Sequence, residues 1–132
     1  MGRKLQPGRD KIKEEWVKDR VKEILKRYKR IKVDMPPAAM YGSAGRHDFV
    51  ICQRGCFWTI ETKAGRNTPS DLQIGYAESV QSSGGICLVI NEFNYMETDT
   101  VACYIDAFGY LPYHLNHSFR NYKPPKQGNH VS

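Results

Sequence analysis

At 132 residues, 15.2 kDa and 40% hydrophobic residues, the chain can build one compact core but not two, and its 8 Tyr, 5 Phe and 2 Trp exclude a disordered composition. Lys and Arg number 20 against 14 Asp and Glu, giving a formal net charge of +6 and a pI of about 9.2. That excess favours polyanionic partners, nucleic acid among them, although Lys-rich helical faces also serve solubility alone. No apolar run is long enough to span a membrane and no secretory leader is evident, so the expectation is a cytoplasmic protein. Cys52, Cys56, Cys87 and Cys103 contain no CxxC pair. They read as reduced core residues, not disulfides or a zinc site, and the HxxH pair His114 and His117 reads as solvated.

The first predicted element is a helix over about 10–30, where Ile12, Trp16, Val17, Val21, Ile24, Leu25, Tyr28 and Ile31 recur at helical spacing and Asp10 can cap the start. Pro36 and Pro37 forbid helix, leaving residues 32–41 extended or looped, and Gly42 to Gly45 form a flexible approach. Two strand-like runs follow, His47 to Gln53 and Cys56 to Lys63, joined at Arg54-Gly55 by a tight hairpin turn in which Gly supplies positive φ. A second helix starts after Thr68, its expected N-cap, with Pro69 in the first helical position, and ends at Gly84-Gly85. Ile86 to Ile90 reads as a buried strand, and Val101, Tyr104, Ile105 and Phe108 mark a third helix over 98–108 stopped by Gly109. Beyond Leu111 no periodicity is convincing. The order specifies an α/β fold, a mixed sheet flanked by helices, in one domain. Its core spans about 10–92, and a C-terminal helix and a basic aromatic tail occupy about 94–132.

A two-residue turn sets Gln53 opposite Cys56 and, carried back along the ladder, Asp48 opposite Glu61. Directly opposed carboxylates lie about 5 Å apart and repel unless a cation separates them. A divalent metal with oxygen ligands meets that need, although exposed strand ends with an ordinary salt bridge would leave the same pattern. Lys63, two residues past Glu61, shares its face and can orient a metal-bound water or stabilise charge on a phosphate. On the first helix Glu14, unlike Glu15, lies near the apolar stripe, as either a hydrated-metal contact or a snorkelling edge residue. Gln73 shares a face with Tyr76, Ala77 and Val80, where it either serves the site or satisfies the helix start.

Taken together, the helix at Glu14 to Lys22, Tyr41-Gly-Ser-Ala-Gly-Arg-His-Asp48, the Glu61-Thr-Lys63 strand, Pro69-x-x-x-Gln73 and the strand at Gly84 to Asn91 resemble the PD-(D/E)xK nuclease superfamily. Within it the closest likeness is to the small stand-alone VRR-NUC (virus-type replication-repair nuclease) domain of phages. The matching stretch runs over about 14–92. The resemblance implies a restriction-endonuclease-like core and hydrolysis of DNA phosphodiesters with Mg²⁺, for which Mn²⁺ substitutes. Asp48, Glu61 and the Thr62 main-chain carbonyl would ligate the metal, and Glu14 would contact it or its water. Lys63 would position the nucleophile and Gln73 would complete the site. It also implies a homodimer acting on branched DNA such as a Holliday junction, in the host cytoplasm if viral. Nicking or end-processing of other DNA structures, or a non-catalytic nucleic-acid-binding module, are the alternatives. His47 departs from the family's proline before the Asp. Lys13, Lys18, Arg46, His47 and Arg66 flank the proposed site and are the expected phosphate contacts.

Overall fold

The computed structural model describes residues 9–37 and 45–126, with side chains from Lys13 onward. Its elements are α1 (Arg9–Leu25), β1 (Ile31–Asp34), β2 (Phe49–Gln53), β3 (Cys56–Thr62), α2 (Asp71–Ser82), β4 (Ile86–Ile90) and α3 (Glu97–Phe108), followed by a 3₁₀ turn at Tyr113–Leu115. The four strands form one mixed sheet in the order β1-β2-β3-β4. β1, β2 and β3 are successively antiparallel, and β4 runs parallel to β3 after the α2 crossover. The fold is therefore α/β, as the alternation of patterns requires.

One sheet face carries Phe49, Ile51, Trp58, Ile60, Ile86, Leu88 and Ile90 against Val17, Val21 and Leu25 of α1 and Val101, Ala102 and Ile105 of α3. The other face packs Cys87 and Val89 against Ala77 of α2 and Phe119 of the tail. β4 is buried along its whole length, which explains why its sequence is continuously apolar and not alternating. Among the described residues no helix is long and apolar enough to cross a membrane.

The hairpin holds the expected register from Gln53↔Cys56 to Phe49↔Ile60. Its turn takes positive φ at both central positions, Arg54 at 49° and Gly55 at 81°, the pattern that matches strand twist. Arg54 is thus also in the left-handed region, and its guanidinium donates to the Asp106 carbonyl near the end of α3.

Several element boundaries differ from expectation; β2, for one, begins at Phe49 and not at His47. α1 stops at Leu25, tightening through Arg27 N–H to Ile24 O and Tyr28 N–H to Leu25 O, so that Ile31 and Val33 enter a strand. Tyr28 and Ile31 keep a helical spacing by coincidence; both still pack on the core, but from the turn and from β1. Arg9 is already helical, so Asp10 lies inside α1 and does not cap it. The N-cap of α2 is Ser70, not Thr68, which moves Pro69 outside the helix. Gly42, Ser43 and Ala44 of the expected flexible approach lie outside the described residues.

The cysteines are all free, but only Cys56 and Cys87 are buried; Cys52 and Cys103 are exposed. Asn116 and His117, past Leu111, are held against the sheet. Among the described residues no strand pairs with the far side of β4, and polar groups of the tail take that place. The Asn116 carboxamide accepts from Cys87 N–H at 2.7 Å, His117 N–H donates to Cys87 O, and His117 Nδ1 accepts from Val89 N–H at 3.0 Å. Asn94 Nδ2 donates to Val89 O. His117 is accordingly not a solvated tail histidine: its other nitrogen meets Glu97 at 2.6 Å. His114 is exposed.

Candidate active site

The site forms where β2 and β3 part company. Regular pairing ends at Phe49↔Ile60, and Asp48 lies in a bend just before β2. Its carboxylate takes over the ladder: Oδ2 accepts from Thr62 N–H at 2.9 Å and from the Thr62 hydroxyl. The Asp48 N–H in turn donates to Glu61 Oε1 at 3.2 Å. Asp48 and Glu61 are therefore neighbours as expected, but across an opened strand end and not as successive rungs of a continuing ladder. In a strand, the N–H and C=O of one residue point to the same side. Lys63 N–H goes to Ile90 O on the β4 side, whereas Thr62 N–H goes to Asp48, so the Thr62 carbonyl also projects towards Asp48.

Among the described residues Glu61 is the best-buried carboxylate, at 2% exposure. Gln73 Nε2 donates to its Oε2 at 3.0 Å and the Lys63 ammonium stands 3.2 Å from the same oxygen. Burial, reinforced by the Asp48 charge, raises its acid to about 8 despite the pull of Lys63 in the other direction. Glu14 of α1 is half-buried and its acid is also raised, first by burial, with Lys63 and Lys18 opposing and Asp48 adding to the rise. Lys18 Nζ lies 3.8 Å from Asp48 Oδ1. Glu14, Asp48, Glu61, Lys63 and Gln73, drawn from α1, the β2 entrance, β3 and α2, thus face a common space.

Gln73 is held from several sides. Its main-chain N–H is capped by Ser70 Oγ and its Oε1 accepts from Ser70 N–H at 2.9 Å, a capping box. With Oε1 occupied by a donor, the amide must present its NH₂ to Glu61. The S-x-x-Q spacing that announces this box is readable in the sequence, and it was the signal for the true N-cap.

Of the five expected phosphate contacts, Arg46 and Arg66 are exposed, Lys13 and Lys18 partly so. His47 is not available for that role. It is 1% exposed, with Nδ1 2.7 Å from Thr59 Oγ1 and Nε2 3.0 Å from Gln73 O. Its ring stacks on Phe119 at 4.7 Å and 11°, and meets Tyr76 edge-on. Burial depresses its pKa to about 4, so the ring is neutral near pH 7. Strict strand alternation from Asp48 gives no hint of this placement, because the bend at Asp48 breaks the alternation.

Among the described residues no three His, Cys, Asp or Glu side chains are grouped so as to hold a metal ion by themselves. The donor set available is two carboxylates, Asp48 and Glu61, with the Thr62 carbonyl beside them. All are hard oxygen donors, the type Mg²⁺ accepts while keeping several of its waters. The upward pull on both Glu14 and Glu61 marks a pocket where negative charge is costly and a divalent cation would relieve the cost. The residues fit such an ion. Among protein-family models, curated proteins and solved structures, none matches this chain.

Proposed function

We propose that this protein is a metal-dependent DNA endonuclease of the PD-(D/E)xK type. The observation that carries the reading is the convergence of Glu14, Asp48, Glu61, Lys63 and Gln73 at the open end of the β2–β3 hairpin. The α-β-β-β-α-β order, with a parallel last strand, is what a restriction-endonuclease-like core of this resemblance requires. Exposed hairpin carboxylates with an incidental salt bridge would not be buried, capped by a glutamine and faced by a third carboxylate.

Asp48, Glu61 and the Thr62 carbonyl would hold Mg²⁺ or Mn²⁺, with Glu14 reaching it directly or through water. Bound there, the ion would polarise a phosphodiester oxygen and make its water a better nucleophile. The chain's own groups do the rest. The Lys63 ammonium, anchored at 3.2 Å on Glu61, orients a water and offsets charge that develops on the phosphate. Gln73 fixes the rotamer of Glu61 by donating to Oε2. Lys18, 3.8 Å from Asp48, and Lys13, Arg46 and Arg66, which flank the site residues in the sequence, would supply phosphate contacts. A two-fold homodimer would bring two such sites to a branched DNA, which suits symmetric cutting of a junction.

The test sets four-way junction, flap, nicked and linear duplex DNA side by side with Mg²⁺ and Mn²⁺. Metal-dependent cleavage is expected, strongest on the junction, and Lys63→Ala is expected to lose about 10²-fold or more in rate. If no DNA is cut with either metal, or Lys63→Ala cuts as well as the parent protein, the nuclease reading fails. Equal cutting of linear duplex sinks the junction preference alone.

A further inference from the structure

The C-terminal tail reaches the candidate site through one aromatic stack. Phe119 is 2% exposed and lies parallel to the His47 ring at 4.7 Å. His47 in turn joins two elements that carry site residues, Thr59 of β3 and the main-chain carbonyl of Gln73 in α2. The Gln73 carbonyl can only accept, so Nε2 must carry the proton, and Nδ1 accepts from the Thr59 hydroxyl. The neutral ring in that tautomer serves both partners. Gln73 is therefore fixed at its carbonyl by His47 and at its amide by Ser70, and what remains free to act is the NH₂ that meets Glu61.

We propose that Phe119 and His47 are positioning residues of the active site, clamping the first turn of α2 so that the Gln73 amide stays on Glu61. The tail is then a working part of the site and not an appendage. The inference rests on the nuclease reading for its kinetic consequence, but the clamp itself can be observed without catalysis. Thr59 belongs to the same clamp, since its hydroxyl holds the His47 ring at Nδ1 while Nε2 reaches the Gln73 carbonyl.

The test compares the full chain with Phe119→Leu, Phe119→Tyr and Thr59→Val. Phe119→Leu keeps an apolar side chain but removes the planar ring; Phe119→Tyr keeps the ring; Thr59→Val keeps the shape but removes the hydroxyl. One readout is the pair of Gln73 side-chain amide signals in a ¹H–¹⁵N spectrum. They are expected to be separated and slow to exchange in the parent and in Phe119→Tyr, and to move towards free glutamine in Phe119→Leu and Thr59→Val. The second readout is steady-state cleavage, where Phe119→Leu and Thr59→Val are expected to lower kcat about 10- to 100-fold with KM within about twofold, the range for partners that orient metal ligands. Phe119→Tyr restores parental kcat. Unmoved Gln73 signals in a folded Phe119→Leu protein overturn the clamp, and so does an unchanged kcat. If Phe119→Leu gives a collapsed spectrum, Thr59→Val decides by the same criteria. A parent protein that cuts no DNA removes the nuclease reading while leaving the amide signals to judge the clamp.

Discussion

At the scale of single residues, Glu61 concentrates the electrostatics of the site. In the metal-free protein its acid is raised from an ordinary 4.5 to about 8, chiefly by burial. The folded chain therefore holds this proton more tightly than the unfolded chain does. The resulting stability is full below pH 4.5 and is lost as pH rises through 8. Glu61→Gln, which removes the ionisation while keeping the shape, is expected to melt several degrees above the parent at pH 9 without metal, and the difference is expected to shrink towards pH 5. Thermal denaturation at the two pH values checks this; a parent protein that matches or exceeds Glu61→Gln at pH 9 contradicts the burial argument. The same residue shows how far local reasoning reaches. The hairpin register was enough to bring Asp48 beside Glu61, because a two-residue turn fixes every rung. It could not show that Asp48 leaves the ladder, bonds Thr62 and meets Lys18 of α1, because which distant element arrives there is not set by the turn.

At the scale of elements, the sheet treats its β4 edge with care. An unpaired strand edge invites association, and proteins cover such edges with side chains or loops. Here the Asn116 carboxamide accepts from Cys87 N–H and Gln81 Nε2 and donates to Gly85 O and Tyr113 O. Asn116→Ala strands the Cys87 N–H and is expected to cost about 1–3 kcal/mol, read as a shift in the denaturant midpoint with unchanged slope. A midpoint unmoved within error contradicts a covering role for the tail. A packing constraint sits nearby at Gly85, where a Cβ would stand 2.6 Å from Val80 Cγ1 and 3.0 Å from Phe57 O. The Gly84-Gly85 pair thus ends α2 and also lets β4 begin close against it. Only the first role is readable from composition, because the second depends on which side chain faces the glycine.

At the scale of the whole molecule, the basic excess gains meaning from where it lies. Lys18 stands 3.8 Å from Asp48, and the exposed Arg46 and Arg66 come two residues before Asp48 and three after Lys63, while other lysines and arginines form ordinary surface pairs such as Arg20–Glu23 and Arg120–Glu78. If about three phosphates are neutralised, log affinity for duplex DNA falls with log salt at a slope of about −2.7, or roughly 40-fold between 50 and 200 mM. Anisotropy titrations in Ca²⁺ at several salt concentrations measure that slope. Arg46→Ala and Arg66→Ala are each expected to reduce it by about one unit. Salt-insensitive binding, or none, contradicts the phosphate assignment.

The sequence by itself determined the helices, the strands after Pro37, the hairpin register and the shared face of Glu61 and Lys63, whereas Glu14 and Gln73 joined the candidate site only through the family resemblance. The elements, the register and that shared face follow from short-range rules: helical or alternating spacing, a turn of fixed length, and strand alternation. The tertiary structure alone decided where α1 yields to β1, that His47 is buried under Phe119 and not offered to phosphate, and that the tail completes the edge of β4. Those outcomes depend on contacts between residues such as His47 and Phe119, 72 positions apart, and no local period encodes which distant side chain will fill a given space.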